Sequence, residues 1–212
     1  MRRLWSILLA VALAGAAVAL QAGHWSYDRA YGPFVRNGKI GRMVTEPRFT
    51  VQVEQVVTAR TIRVPEGPYG ARPQVIPANG VFVVVIATVA VRRSPEYVAA
   101  ARLDTRYGHY ALTDKLGGSG LIAPRVTTLG YVRFQPGMPR RGCYVFDVPP
   151  GALAGARFVL SDRDTEDAAF GHYRDDPVRF SAEARVDLDI SAADATRLTR
   201  TAATGYGLPE AS

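Results

Sequence analysis

Hydrophobic and polar positions alternate with a period of two along much of the chain. In "RFTVQVEQVV", Phe49, Val51 and Val53 fall on one side and Thr50, Gln52 and Glu54 on the other, the pattern of a half-buried strand. "TIRV" extends this strand beyond a kink. The longest internal apolar run, residues 81–91, follows Asn79-Gly80 and stops at Arg92-Arg93-Ser94-Pro95. As a helix it would reach only ~16 Å, about half a bilayer. As a strand it covers ~36 Å. Its valines, with Phe82, Ile86 and Thr88, favour the strand. Apolar side chains on both faces predict a central strand, covered by a facing sheet on one side and by loops or a partner on the other. Asn79-Gly80 is read as the turn before it.

Further strands are predicted over 97–105 and 108–112, joined or bulged near Tyr107-Gly108. Two more, 129–134 and 143–148, flank the turn-forming "QPGMPRRG". "ARFVLS" (156–161) follows "PPGALAG", and residues 178–190 alternate Val178, Phe180, Val186, Leu188 and Ile190 against polar neighbours. Residues 66–79 and 115–125 are expected as surface loops. From Ser191 the chain turns to Ala, Thr and Gly, the composition of a frayed tail with one helical turn. Strands punctuated by Gly and Pro, with no amphipathic helix between them, predict an all-β fold, an antiparallel immunoglobulin-like β-sandwich.

The N-terminus is different. Arg2 and Arg3 precede an apolar run over 4–20. Ala17-Val18-Ala19 fits a signal-peptide cleavage site. Trp5 and Trp25 bracket the run, and twenty helical residues would separate them by ~30 Å, the thickness of a hydrocarbon layer. Tryptophans at both interfaces and arginines on the cytoplasmic side favour one transmembrane helix with the rest exported. The chain thus divides into an anchor or signal peptide (1–23), an aromatic-rich juxtamembrane linker (24–46), the sandwich (47–190) and a flexible tail (191–212).

Composition adds a few limits. The net charge of +7 comes almost wholly from arginine, with Lys39 and Lys115 the only lysines. Basic residues predominate over 29–63 and acidic ones over 158–196. A basic portion beside a membrane suits anionic lipid or wall polymer. No basic stripe is interleaved with stacking aromatics, so nucleic acid is not an expected partner. One cysteine, Cys143, excludes an intramolecular disulfide.

The order of "FTVQVEQV", "NGVFVVVIATVAV", "FQPGMPRRGCYVFDVP" and "ARFVLS" behind an N-terminal apolar segment resembles a bacterial extracytoplasmic immunoglobulin-like (telokin-like) domain family of unknown function. That family is similar in fold to a secreted mycobacterial immunogenic protein. The resemblance covers about residues 47–190 and rests on Pro136-Gly137 followed by Phe146-Asp147-Val148-Pro149. It implies an architecture and an envelope address, and no catalytic residues. Arg92-Arg93-Ser94-Pro95 departs from the Asn-containing turn usual there, and the missing lipoprotein cysteine implies a protein anchor.

Candidate chemistry is sparse. Asp162, Asp164, Glu166 and Asp167 would supply oxygens for calcium, but the stretch lacks the bend glycine and distal glutamate of an EF-hand, so a solvated acidic loop is expected. His109 has no G-x-S-x-G partner among Ser94, Ser119 and Ser161, and is expected on a half-exposed strand. "LGGSG" (116–120) lacks the Lys-Ser/Thr of a phosphate loop. Cys143 reads as a small buried residue, with an intermolecular disulfide as the alternative. The linker aromatics Trp25, Tyr27, Tyr31 and Phe34, with Ile40 and Met43, should pack on the domain, the bilayer or a partner. No catalytic, cofactor-binding or metal residue is predicted, and no cofactor. The expectation is a membrane-anchored extracytoplasmic binding or scaffolding module serving another envelope protein, not an enzyme. The alternative is a secreted or anchored binder of a small ligand or anionic cell-wall polymer.

Overall fold

A computed structural model describes residues 34–65, 73–93, 96–98, 100–116, 128–162 and 182–209, together with Gly15. The chain divides after Pro33, and the fold is that of the second unit. Among the described residues no helix is long and apolar enough to cross a membrane. Apart from Gly15, the expected anchor, 1–23, lies outside them.

The strands are β1 (Phe34–Lys39), β2 (Met43–Thr45), β3 (Phe49–Val64), β4 (Gln74–Val91), β5 (Glu96–Tyr97), β6 (Ala100–Thr105) and β7 (Gly108–Ala111), then β8 (Arg133–Phe134), β9 (Arg140–Val148), β10 (Arg157–Ser161), β11 (Ala182–Asp187) and β12 (Tyr206–Gly207). One sheet runs β1-β11-β10-β6-β7, the other β12-β3-β4-β9 with β2 beside β3. They face each other across one core, in an all-β sandwich. Phe49, Val51, Val53 and the odd-numbered residues of β4 from Val81 to Val91 enter that core from one side, and Leu103, Phe158, Leu160 and Val186 from the other. Tyr144 and Phe158 pack with ring centroids 5.2 Å apart.

Residues 81–91 form a strand buried on both faces, as their composition predicts. Phe82, Val84 and Ile86 point away from the main core into a second cluster with Ile62, Cys143, Val145 and Leu116. Ala203, Tyr206 and Leu208 of the C-terminal segment pack against that cluster. Among the described residues the cover comes from the chain's own C-terminal segment and from Leu116.

Several expectations are corrected. Two strand pairs are parallel, β1 with β11 and β12 with β3, so the sandwich is not purely antiparallel. Residues 34–46, expected as linker, contribute β1 and β2, because their backbone finds partners in β11 and β3. Residues 74–79, expected as loop, belong to β4, where Ile76 sits opposite Ile62. Asn79-Gly80 is an irregularity inside β4, not a turn before it. Both backbone N–H groups donate to the Asp147 carboxylate, at 2.9 Å from Asn79 and 3.2 Å from Gly80. A Cβ on Gly80 would lie 2.3 Å from the Val148 carbonyl oxygen, so only glycine fits. In place of a strand over 129–134, Leu129–Tyr131 is a 3-10 turn leading into the short β8. The expected frayed tail contains the helix α1 (Ala192–Arg200) and β12. Val178 and Phe180 lie outside the described residues.

Candidate functional site

α1 owes its position to local chemistry at both ends. Ser191 caps it with a capping box: its hydroxyl oxygen accepts from the Asp194 N–H, and the Asp194 carboxylate accepts from the Ser191 N–H. The Ser191 hydroxyl also donates to the Asp194 carboxylate at 2.6 Å, and this bond, with the Ser191 N–H and nearby Arg197, holds the Asp194 carboxyl below its ordinary range. At the other end the Thr58 hydroxyl donates to the Leu198 carbonyl at 2.7 Å. Beyond the helix, Ala203 N–H donates to Thr58 O at 2.9 Å, and Arg60 N–H to Ala203 O at 2.7 Å. β3 shifts register between Ala59 and Thr61, so Arg60 sits at the irregularity. Such a bulge re-aims a side chain out of the sheet's alternation.

Between α1, Arg60, the β6–β7 turn and the 3-10 turn Pro150–Ala152 lies a groove of about 580 Å³. Its walls use small residues (Gly151, Ala154, Ala192 and Ala195), which leave the space open. Three arginines line it, Arg60, Arg106 and Arg200, all exposed. Arg106 donates to the Gly151 carbonyl at 3.4 Å and lies 4.6 Å from the centroid of the Tyr107 ring. The hydroxyls of Thr196 and Thr199 donate to the carbonyls of Ala192 at 3.0 Å and Pro150 at 3.3 Å. Among the described lining residues there is no Asp, Glu, His or Cys. The groove can seat and orient a ligand, but those residues offer no acid, base or strong nucleophile near neutral pH.

The residues singled out in the sequence are scattered. His109 is exposed on β7, with Nδ1 2.6 Å from Asp104 Oδ1. Ser161 is buried on β10, four residues from Arg157, which sits opposite Asp104, so about 13 Å of strand separates it from the histidine's partner. Ser94, Ser119, Asp164, Glu166, Asp167, Trp25, Tyr27 and Tyr31 lie outside the described residues. Of the acidic stretch, Asp162 is buried, not solvated. Its Oδ1 accepts from the Ala182 N–H at 2.9 Å, and its Oδ2 lies 3.1 Å from Arg48 Nη1. Among the described residues no three His, Cys, Asp or Glu side chains converge as metal ligands would. Cys143 is buried, and burial pushes its thiol up to about 12. Of "LGGSG", only Leu116 is described, buried in the second cluster. Ile40 packs against the main core, whereas Phe34 and Met43 are exposed.

Sequence reasoning missed the groove because its walls come from four separated segments. The only signal was the arginine bias itself. It also missed two carboxyls. Glu46, between β2 and β3, is 1% exposed, and among the described residues its carboxylate oxygens find no donor within hydrogen-bond geometry. Burial raises its pKa; Arg36 opposes the rise and Asp162 adds to it. Asp147 also accepts from Lys115 Nζ at 2.6 Å. Burial works against its ionisation, but the Asn79, Lys115 and Gly80 donors outweigh this and hold its carboxyl below the ordinary range.

No family model matches the chain, and no curated protein matches it in sequence. Two solved structures are similar. A secreted protein from Mycobacterium tuberculosis, MPT63, is 15% identical with a TM-score of 0.44, over 73% of this chain and 98% of its own. An uncharacterized β-sandwich protein from Clostridium difficile 630 is 12% identical with a TM-score of 0.40, over 74% of this chain and 96% of its own.

Proposed function

We propose that this chain is an extracytoplasmic binding module, not an enzyme, and that it holds its ligand in the Arg60–Arg106–Arg200 groove. The groove carries the reading. Its volume of about 580 Å³ falls among small-ligand sites, and its described lining positions groups without supplying reactive ones. The geometry therefore favours a small ligand or a polymer segment over a flat contact with another envelope protein. An envelope partner is the second reading, motivated by exposed Val35 and Met43 on the neighbouring β1 and β2. The extracytoplasmic address and the anchor over 1–23 rest on Arg2, Arg3, the apolar run and the bracketing tryptophans. The immunoglobulin-like, telokin-like affiliation rests on the order of the strand motifs.

The test is photocrosslinking in intact cells from the full-length chain, with the photoreactive residue at Thr196. The comparison position is Met138, exposed at the opposite end of β9 from Pro150. An adduct specific to position 196 is expected. Identical patterns from both positions would sink the groove as the ligand seat.

A further inference from the structure

We infer that the groove takes an oxyanion ligand, phosphate or carboxylate, carrying two or more negative charges. This rests on the groove being the ligand seat.

Of the described arginines, five are salt-bridged to carboxylates, and others, Arg42, Arg63 and Arg157 among them, are not. Arg48 is paired with Asp162, Arg102 with Asp104 and Glu183, Arg141 with Glu54, and Arg185 with Glu183. On α1, Arg197 pairs with Asp194, whereas Arg200 three residues later turns to the groove. What sets Arg60, Arg106 and Arg200 apart from the other unpaired arginines is that they share one groove, whose described lining carries three positive charges and no negative one. Gathering three like charges around a concavity costs repulsion, which a bound anion would relieve.

The available hydrogen-bond donors point the same way. Both threonine hydroxyls are donated to backbone carbonyls, and Arg106 keeps further N–H groups beyond the one given to Gly151. Guanidinium N–H groups are what remains to face a ligand. Their planar fork matches two oxygens of a carboxylate or phosphate. A neutral ligand would leave the charge uncompensated, and a monoanion would neutralise only part of it.

The experiment is titration calorimetry on the purified full-length chain at about 50 mM salt, where screening is modest. The probes are tripolyphosphate and tricarballylate as small anions, with long-chain polyphosphate and polygalacturonate as polymers. Saturable binding of at least one is expected. Arg60→Gln, Arg106→Gln and Arg200→Gln should each weaken it on the order of tenfold, the scale of a lost charge-assisted contact. Arg42→Gln, the same charge change in the exposed turn between β1 and β2, should leave it unchanged. Melting curves matched to the unmodified chain establish that each variant folds. Raising salt to about 0.5 M should weaken binding severalfold.

Polymer binding much tighter per charge than the small anion identifies an anionic polymer as the source; equal affinity per charge identifies a small metabolite. Absence of binding to all four probes overturns the anion class, as does equal weakening by Arg42→Gln. A Thr196 adduct in cells without any anion binding leaves the binding module standing and removes only the ligand class. Anion binding that the three groove variants weaken, without an adduct specific to position 196, keeps the anion site and removes the groove as the seat of the cellular ligand.

Discussion

The clearest energetic lever is Asp147. Its carboxylate accepts from two consecutive backbone N–H groups inside β4 and from Lys115, whose Nζ also donates to Pro77 O at 3.3 Å and lies 5.7 Å from the Phe82 ring centroid. One side chain therefore pins the β4 irregularity, the start of the 3-10 turn Asp114–Leu116 and the edge of β9. Asp147→Ala strands these donors. Water can reclaim the Asn79 N–H, which is exposed, but reaches Gly80 and Lys115 less well. Counting those two at charge-assisted strength, discounted for partial exposure, the loss comes to about 2–3 kcal/mol. With an m-value of about 2 kcal/mol per M, the urea midpoint should fall by about 1–1.5 M. Asp147→Asn keeps one acceptor and should cost about half as much. Because the folded carboxyl titrates below its ordinary value of 3.8, this contribution is complete above that pH and is lost as pH falls through the folded value. Equilibrium urea melts followed by Tyr fluorescence and far-UV circular dichroism, repeated across pH, measure all of this. A loss under about 0.5 kcal/mol for the alanine variant would refute the reasoning.

Glu46 should show the opposite pH dependence. Its folded pKa is raised above 4.5, so stability is full below that pH and declines as pH rises through the folded value. In urea melts between pH 4 and 7, Glu46→Gln, which cannot ionise, should lose that decline; an unchanged slope would contradict a buried, unpartnered carboxyl facing Arg36 and Asp162. Cys143, with its thiol pushed up to about 12, should resist iodoacetamide at pH 8 until urea is added and run as a monomer on non-reducing gels. Rapid labelling of the folded chain would place it at the surface instead. Ser191→Ala removes the α1 cap and should cost about 1 kcal/mol in the same melts. No change would mean that packing alone holds the helix.

Strand periodicity read the sandwich well wherever one face is buried and the other wet. Phe49, Val51 and Val53 go inward as their alternation predicts, and the run over 81–91 is a strand closed on both faces. The parts that resisted reading are those set by non-local pairing. Phe34–Lys39 is almost wholly exposed, so it carries no apolar alternation; what makes it a strand is the adjacent backbone of β11. Asn79-Gly80 has the composition of a turn, and only an acid 67 residues away from Gly80 reveals that it lies inside a strand. The tail looked polar and small because α1 presents one buried residue, Ala195. The groove depends on all of these, so its arginines were visible only as an excess of charge.

The small residues of the C-terminal segment make physical sense once the second face of β4 is considered. Phe82, Val84 and Ile86 must be kept from water, at roughly 1.5–3 kcal/mol for each side chain. The segment that covers them crosses β3 through Ala203 and reaches β12, where Gly205 takes a positive φ of 66° and its N–H donates to the Thr61 hydroxyl at 2.6 Å. To reach that position from Ile190, the chain has to pass over the end of the sandwich, and α1 is how it does so. A bulky helix would fill the space against Pro150 and Gly151. An alanine-rich one leaves the groove. The concavity thus follows from closing the second hydrophobic cluster, and fold stability does not require Arg60, Arg106 and Arg200 to surround it without carboxylates. That convergence of three cations on one concavity is the feature left for a ligand to explain.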